Sequence, residues 1–225
     1  MAKKKQTVED QNLENVQEAL NTTSVWIEKN QNKLTWSITI IALVVTGVLA
    51  LNTYVIKPKA VEVSNENAKA VAYFMQGDWE KALNGDDAEC VGFQAIADEY
   101  KMYQGGKLAA LYAGVCYYQL GQYEDAAAYL NKFSANDLTI EPAALQLLGD
   151  AYVQMEDYSK AVKAFESAAK SGNDLIAPMS LKKAGLVYLE LGDKAAAKKA
   201  FEVIKADYPA SSEAQSIDAY IAIAQ

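Results

Sequence analysis

Polar and apolar positions divide the chain into three stretches with different periods. Residues 1–33 are polar, with Leu13, Val16 and Leu20 at helical spacing, which predicts a short amphipathic helix over Val8–Leu20. Residues 34–56 carry no charge at all. From about Val61 onward the apolar positions return with a helical period, and clusters of Gly, Asn, Asp and Pro mark the turns.

That third stretch repeats itself. Gly114, Gly149 and Gly185 stand 35 and 36 residues apart, and Tyr117, Tyr152 and Tyr188 keep the same steps, as do Ala126, Ala161 and Ala197. A period of roughly 34 residues with this punctuation predicts helix–turn–helix units stacked into a solenoid. The three full units read as Lys107–Leu120 with Tyr123–Phe133, Pro142–Met155 with Tyr158–Lys170, and Pro178–Leu191 with Lys194–Asp207. Gly121 and Gly192 permit the left-handed backbone that ends a first helix, and Glu156-Asp157-Tyr158 forms the corresponding turn of the second unit. A degenerate copy lies upstream, where Gly77-Asp78-Trp79 and Ala82 repeat the turn phrase. Its excess length falls at Asn84-Gly85-Asp86-Asp87, which splits the second helix before Phe93–Tyr100 resumes the pattern of Phe201–Tyr208. Ser211–Gln225 reads as a helix capping the last unit, whose apolar face would otherwise be open to solvent.

The uncharged stretch is 23 residues, Leu34 to Ile56. As a helix it would measure about 34 Å, against a hydrocarbon core of about 30 Å. Twelve of its residues are Leu, Ile or Val; at roughly −0.4 kcal/mol each they favour insertion by about 5 kcal/mol before polar and end effects. Trp36 and Tyr54 sit near its ends, with Lys33 and Lys57 outside them. Val48-Leu49-Ala50 is passable as a signal-peptidase site, but the long leading tail and the apolar run beyond Ala50 favour an anchor. The expected organisation is therefore a polar tail over 1–33, a membrane span over 34–56, a linker over 57–63 and a solenoid over 64–225. The Lys3-Lys4-Lys5 cluster places the tail in the cytosol and the repeats on the far side.

Composition narrows the chemistry. The chain has neither His nor Arg, and its 21 basic residues are all Lys. Without His there is no near-neutral imidazole for acid–base work or metal ligation. Without Arg there is no planar fork for bidentate phosphate binding. The net charge is −8, and the acid excess lies after the uncharged stretch, which disfavours nucleic acid as a partner. Asp86-Asp87-Ala88-Glu89, Asp98-Glu99 and Glu156-Asp157 are the only carboxylate groupings that suggest a site. They fall at turns or on helical faces, where solvated charge is the usual role, and neither a nucleotide loop nor a calcium-ligand spacing accompanies them. Neither catalytic, cofactor-binding nor metal-binding residues are expected. Cys90 and Cys116 read as small buried hydrophobes, with a disulfide as the alternative.

The repeated phrases resemble the tetratricopeptide repeat (TPR) family. The Gly, Tyr and Ala series, Phe165 and Phe201, and the closing Pro209 match its small, aromatic and proline positions, while Leu130 stands where the family has Phe. The resemblance covers roughly Val61 to Gln225 and, with the span read from residues 34–56, the expected fold is all-α: one N-terminal transmembrane helix, then a solenoid of three full repeats, one degenerate repeat and a capping helix. The resemblance implies protein or peptide docking in a groove on the first helices. The positions it assigns to that groove are Leu111, Val115, Tyr118, Gln146, Asp150, Val153, Lys182, Leu186 and Leu189. Leu111 and Val115 occupy the positions of the carboxylate clamp used by chaperone-tail receptors, so a terminal carboxylate is not the expected ligand.

The layout also resembles a narrower family. A tail, the segment Trp26-Ile27-Glu28-Lys29-Asn30, a single span and then repeats is similar to the YfgM-like ancillary subunits of the Sec translocon. That resemblance implies the bacterial inner membrane, a cytoplasmic N-terminus, periplasmic repeats, and a chaperone role beside the channel. Its expected partners are the translocon, a PpiD-like chaperone and exported clients. A scaffold for another envelope assembly, such as cell division, secretion or outer-membrane biogenesis, is the alternative.

Overall fold

The computed structural model describes the backbone of residues 2–86 and 89–225, and the side chains of residues 20–86 and 89–225. It divides into two units, Met1–Pro58 and Lys59–Gln225. The described residues are helical apart from turns and one isolated bridge between Asp86 and Cys90.

In the first unit, α1 runs from Ala2 to Leu51 and is followed by a π-helical turn over Asn52–Ile56. The short helix and the span expected from the pattern are thus one continuous helix. No Pro or Gly separates them, and the polar residues between them bond their own turn: Ser24 Oγ donates to Asn21 O at 2.9 Å and Asn30 Nδ2 to Trp26 O at 2.9 Å. The side chains of Leu13 and Val16, two of the three residues of the expected amphipathic stripe, lie outside the described residues. Across the apolar stretch three threonine hydroxyls are also satisfied within the helix, Thr35 by Gln31 O, Thr39 by Thr35 O and Thr46 by Ala42 O. Its large apolar side chains face outward, Trp36 being 70% and Leu43 67% exposed. Among the described residues it is the one helix long and apolar enough to cross a bilayer.

The second unit follows α2 (Lys57–Met75) with α3 (Trp79–Asn84) and α4 (Phe93–Glu99), which together make the degenerate repeat. The segment between α3 and α4 is held by Asp86, whose Oδ1 accepts from the Glu89 and Cys90 amides and whose Oδ2 accepts from Tyr73 Oη. Three helix pairs follow: α5 (Gln104–Gln119) with α6 (Tyr123–Leu130), α7 (Ile140–Gln154) with α8 (Tyr158–Ala169), and α9 (Ile176–Glu190) with α10 (Lys194–Asp207). A 3₁₀ turn, Glu213–Ser216, leads into α11 (Ile217–Ile223). This last helix buries Ile217 against Phe201 and Ile204, and the Tyr220 ring lies 5.5 Å from that of Phe201.

Each pair closes on a small residue. A Cβ on Gly149 would lie 2.5 Å from Phe165 Cε1, and one on Gly185 would lie 2.2 Å from Phe201 Cε1. The repeated glycine is therefore the socket for the aromatic ring of the second helix. In the first pair Leu130 fills that socket, its Cγ 2.6 Å from where a Gly114 Cβ would be. Adjacent repeats are tied by the repeated tyrosines. Asn131 Nδ2 donates to Tyr152 Oη at 3.1 Å, and Tyr188 Oη donates to Glu166 Oε1 at 2.6 Å. Asn131 and Glu166 are equivalent positions of successive second helices, so the same contact recurs. Burial, with the Glu166 bond added, pushes the Tyr188 phenol up to about 12.

The turns within the pairs show one local conflict. Gly121 and Gly192 adopt φ 75°, and at the equivalent place Glu156 adopts φ 58°. A side chain in the left-handed region costs about 1–2 kcal/mol. Glu156→Gly is expected to stabilise the solenoid by about 0.5–1 kcal/mol, after allowing for the greater freedom of glycine in the unfolded chain. The midpoint of denaturant unfolding checks this, and a lower midpoint would show that Glu156 makes a compensating contact.

A candidate protein-docking groove on the first helices

The first helices α5, α7 and α9 place equivalent residues side by side, because each repeat adds 35 or 36 residues to the same helical phase. None of the nine positions assigned to the groove from sequence is buried. They divide into three environments.

At the α5 end the surface is apolar. Leu111 and Val115 line a depression of about 420 Å³ together with Phe74, Leu108, Ile140 and Leu147. Leu108 is 37% and Ile140 49% exposed, although both are large hydrophobes in an ordered helix. The ring of Tyr112 backs the depression, packed against Phe74 at 4.9 Å and Phe93 at 4.8 Å. No charged residue lines it.

In the middle the groove is polar. Asp150 binds Lys183 Nζ through both oxygens, at 2.8 and 2.6 Å. The pair joins α7 to α9 and is about one-third exposed on the lysine side. The amide nitrogen of Gln146 is enclosed and lacks a hydrogen-bond partner. Tyr118 packs edge-on to Tyr123 at 5.4 Å, and Val153 packs against the core formed by α8 and α9.

At the α9 end the capping segment takes up part of the assigned surface. Lys182 Nζ lies 4.8 Å from the centre of the Tyr220 ring, and Leu189 packs into the cluster around Ile217. Leu186 remains 39% exposed.

Several lining residues escape the sequence reading. Leu108 is one helical turn before Leu111 on the same stripe, and that spacing could have found it. Ile140 and Leu147 stand one period after Gly105 and Tyr112, off that stripe, and reach the depression from α7. Phe74 comes from α2, the first helix of the degenerate repeat, where the inserted segment hides the period.

The acidic groupings have structural roles. Asp157 caps α8 by accepting from the Lys160 amide and pairs with the Lys160 side chain at 2.5 Å, which holds its carboxyl below the usual range. Burial would raise the Asp98 carboxyl, but Lys132 Nζ and Tyr129 Oη, both at 2.7 Å, outweigh this and hold it low. Asp86 organises its own segment, as described above, while Asp87 and Ala88 lie outside the described residues. Among the described residues no group of three potential metal ligands comes together. Cys90 and Cys116 are both buried free thiols, and burial pushes Cys116 up to about 12.

Residues 108–137 and 147–212 match models of the tetratricopeptide repeat. No curated protein matches the chain significantly in sequence. Among solved structures, the fold is similar to that of MamA protein, with 21% identity, a TM-score of 0.56, and coverage of 72% of this chain and 80% of that one. It is also similar to an array of nearly identical TPR-like repeats from a kinesin light chain of Podosopora anserina, with 14% identity, a TM-score of 0.52, and coverage of 73% and 85%. At these identities the likeness is one of fold. The solenoid of this chain is a tetratricopeptide-repeat module for protein–protein interaction.

Proposed function

We propose that this protein is a membrane-tethered docking module that holds extended apolar stretches of other polypeptides. One observation carries the reading: the apolar depression shared by α2, α5 and α7, where exposed Leu108 and Ile140 face a lining without charge. Large hydrophobes on an ordered surface are costly to leave in water, and a partner side chain seated there recovers that cost. The neighbouring Asp150–Lys183 pair, partly exposed on the same face, supplies polar contact for a backbone passing along the groove. The uncharged helix over 34–56 serves as the tether. It confines the groove to a thin shell beside the bilayer, which raises its effective concentration for anything emerging there.

The narrower form of the proposal is an ancillary chaperone of the Sec translocon, with the repeats in the periplasm. The layout of tail, Trp26–Asn30 segment, single span and repeats supports it. A dedicated scaffold for another envelope assembly is the second reading, favoured by the Asp150–Lys183 pair, since a fixed charge pair rewards one partner over many. In-cell photo-crosslinking from Leu111, Val153 and Leu186 separates them. Adducts to channel subunits and many exported proteins fit the chaperone; one stoichiometric folded partner fits the scaffold. Exclusively cytosolic adducts would overturn the periplasmic placement.

A further inference from the structure

The connections between successive repeats carry a feature that the docking groove does not use. Met102, Leu138 and Leu175 are 86%, 69% and 72% exposed, among the most exposed large hydrophobes of the solenoid. Each stands one or two residues ahead of a first helix, α5, α7 or α9. They occupy corresponding places in three consecutive connections, two, two and one residues ahead of the helix.

Two sets of contacts place these connections next to one another. Asp98 at the end of α4 binds Lys132 after α6, and Asn173 Nδ2 donates to Leu138 O at 2.9 Å. The backbone presenting the two leucines is held. Asp137 Oδ1 accepts from the Thr139 and Ile140 amides, and Asn173 Oδ1 accepts from the Leu175 and Ile176 amides. The three side chains therefore form a row along one edge of the solenoid.

The charge along this edge differs from that of the whole chain. The connections themselves, residues 100–103, 131–139 and 170–175, carry Lys101, Lys132 and Lys170 against Asp137 and Asp174, whereas the chain carries −8. Connections without an excess of acid meet an anionic lipid surface without the repulsion that the acidic remainder would meet.

We infer that this edge is a lipid-contacting edge, with Met102, Leu138 and Leu175 inserted among phospholipid headgroups. The inference rests on the membrane-tethered reading. Single apolar side chains separated by a repeat spacing of about 10 Å, with lysines beside them, suit a fluid interface that closes around each one. A protein partner would instead require a contiguous, shape-matched patch.

The test uses the full chain in vesicles of phosphatidylcholine and phosphatidylglycerol. An environment-sensitive fluorophore is placed on Met102→Cys, Leu138→Cys or Leu175→Cys. Leu191→Cys, 48% exposed at a turn within the third pair, is the control. Labelling of the unsubstituted chain, whose two thiols are buried, sets the background. The expected result is a shift to shorter emission wavelength and quenching by spin-labelled lipid at 102, 138 and 175, with neither at 191. Water-like emission at the three positions overturns the inference. So does a blue shift that lipid quencher cannot reach, which would assign the edge to a second protein chain. Alkaline extraction of the same vesicles reads the tether separately. A chain that resists extraction with water-like edge labels keeps its anchor and loses this edge. A chain that is extracted, yet was lipid-quenched beforehand, loses the anchor and keeps the edge.

Discussion

Gly185→Ala is expected to destabilise the solenoid by about 2–3 kcal/mol, whereas the same change at Gly114 is expected to be close to neutral. In isolation both substitutions favour a helix, by about 1 kcal/mol each. Packing opposes that gain to different extents. At 185 the new methyl would lie 2.2 Å from Cε1 of Phe201, a ring with no exposed surface, wedged against α9 and the capping helix. A rigid ring cannot fold away, so the helices must separate, at the cost typical of overpacking or above it. At 114 the nearest atoms are Leu130 Cγ at 2.6 Å and Cδ2 at 2.9 Å. A branched aliphatic chain can change rotamer, and its accommodation offsets little more than the helical gain. For a unit of this size the Gly185 effect corresponds to a fall in melting temperature of roughly 4–12 °C. Adding Phe201→Leu to Gly185→Ala gives the third pair the Ala and Leu that the first pair has in its Gly114→Ala variant. The double variant should then recover more than about 1 kcal/mol relative to additivity. Equal losses at 114 and 185 would show that the socket does not govern the pairing.

Leu108→Glu combined with Ile140→Glu is expected to lower the affinity of the groove for a permanently unfolded, reduced and alkylated polypeptide by about 30-fold or more. That is the scale of losing contacts worth about 2 kcal/mol. Both residues are substantially exposed, at 37% and 49%, so helicity and unfolding midpoint should stay near those of the unchanged chain. This makes them cleaner probes than Val153, which packs against the core of the second and third pairs. Leu186→Glu, further along the groove and 39% exposed, should weaken binding less, because the capping segment already occupies its neighbourhood. Unchanged binding of the double variant would remove the apolar depression from the docking surface. A lost fold would show that Leu108 and Ile140 support the core.

Several elements could be read from the chain because they depend on spacing. The helix pairs follow from the apolar period and the turn residues, and their observed ends differ from the expected ones by three residues or fewer. The split second helix of the degenerate repeat also follows, since the inserted residues are rich in Gly, Asn and Asp. The α1 helix was harder to read. A polar tail without breakers carries little periodic signal, and the backbone stays helical because nothing in it forces a stop. The groove was legible where it repeats a known phase and hidden where it does not. Leu111 and Val115 occupy repeated positions, whereas Phe74 reaches the same depression from a helix whose partner is broken.

By itself, the sequence determined that this protein has one uncharged helix of membrane length and a set of stacked helix pairs. Both properties are carried by local period and composition, which do not depend on what lies across the fold. Tertiary structure alone decided which exposed faces are free. The capping segment covers Lys182 and Leu189 but leaves Leu186, Phe74 joins the groove from outside the regular repeats, and the connections ahead of α5, α7 and α9 leave Met102, Leu138 and Leu175 exposed. Those outcomes depend on contacts between residues far apart in the chain, and no local pattern encodes which of two equivalent positions a neighbour will cover.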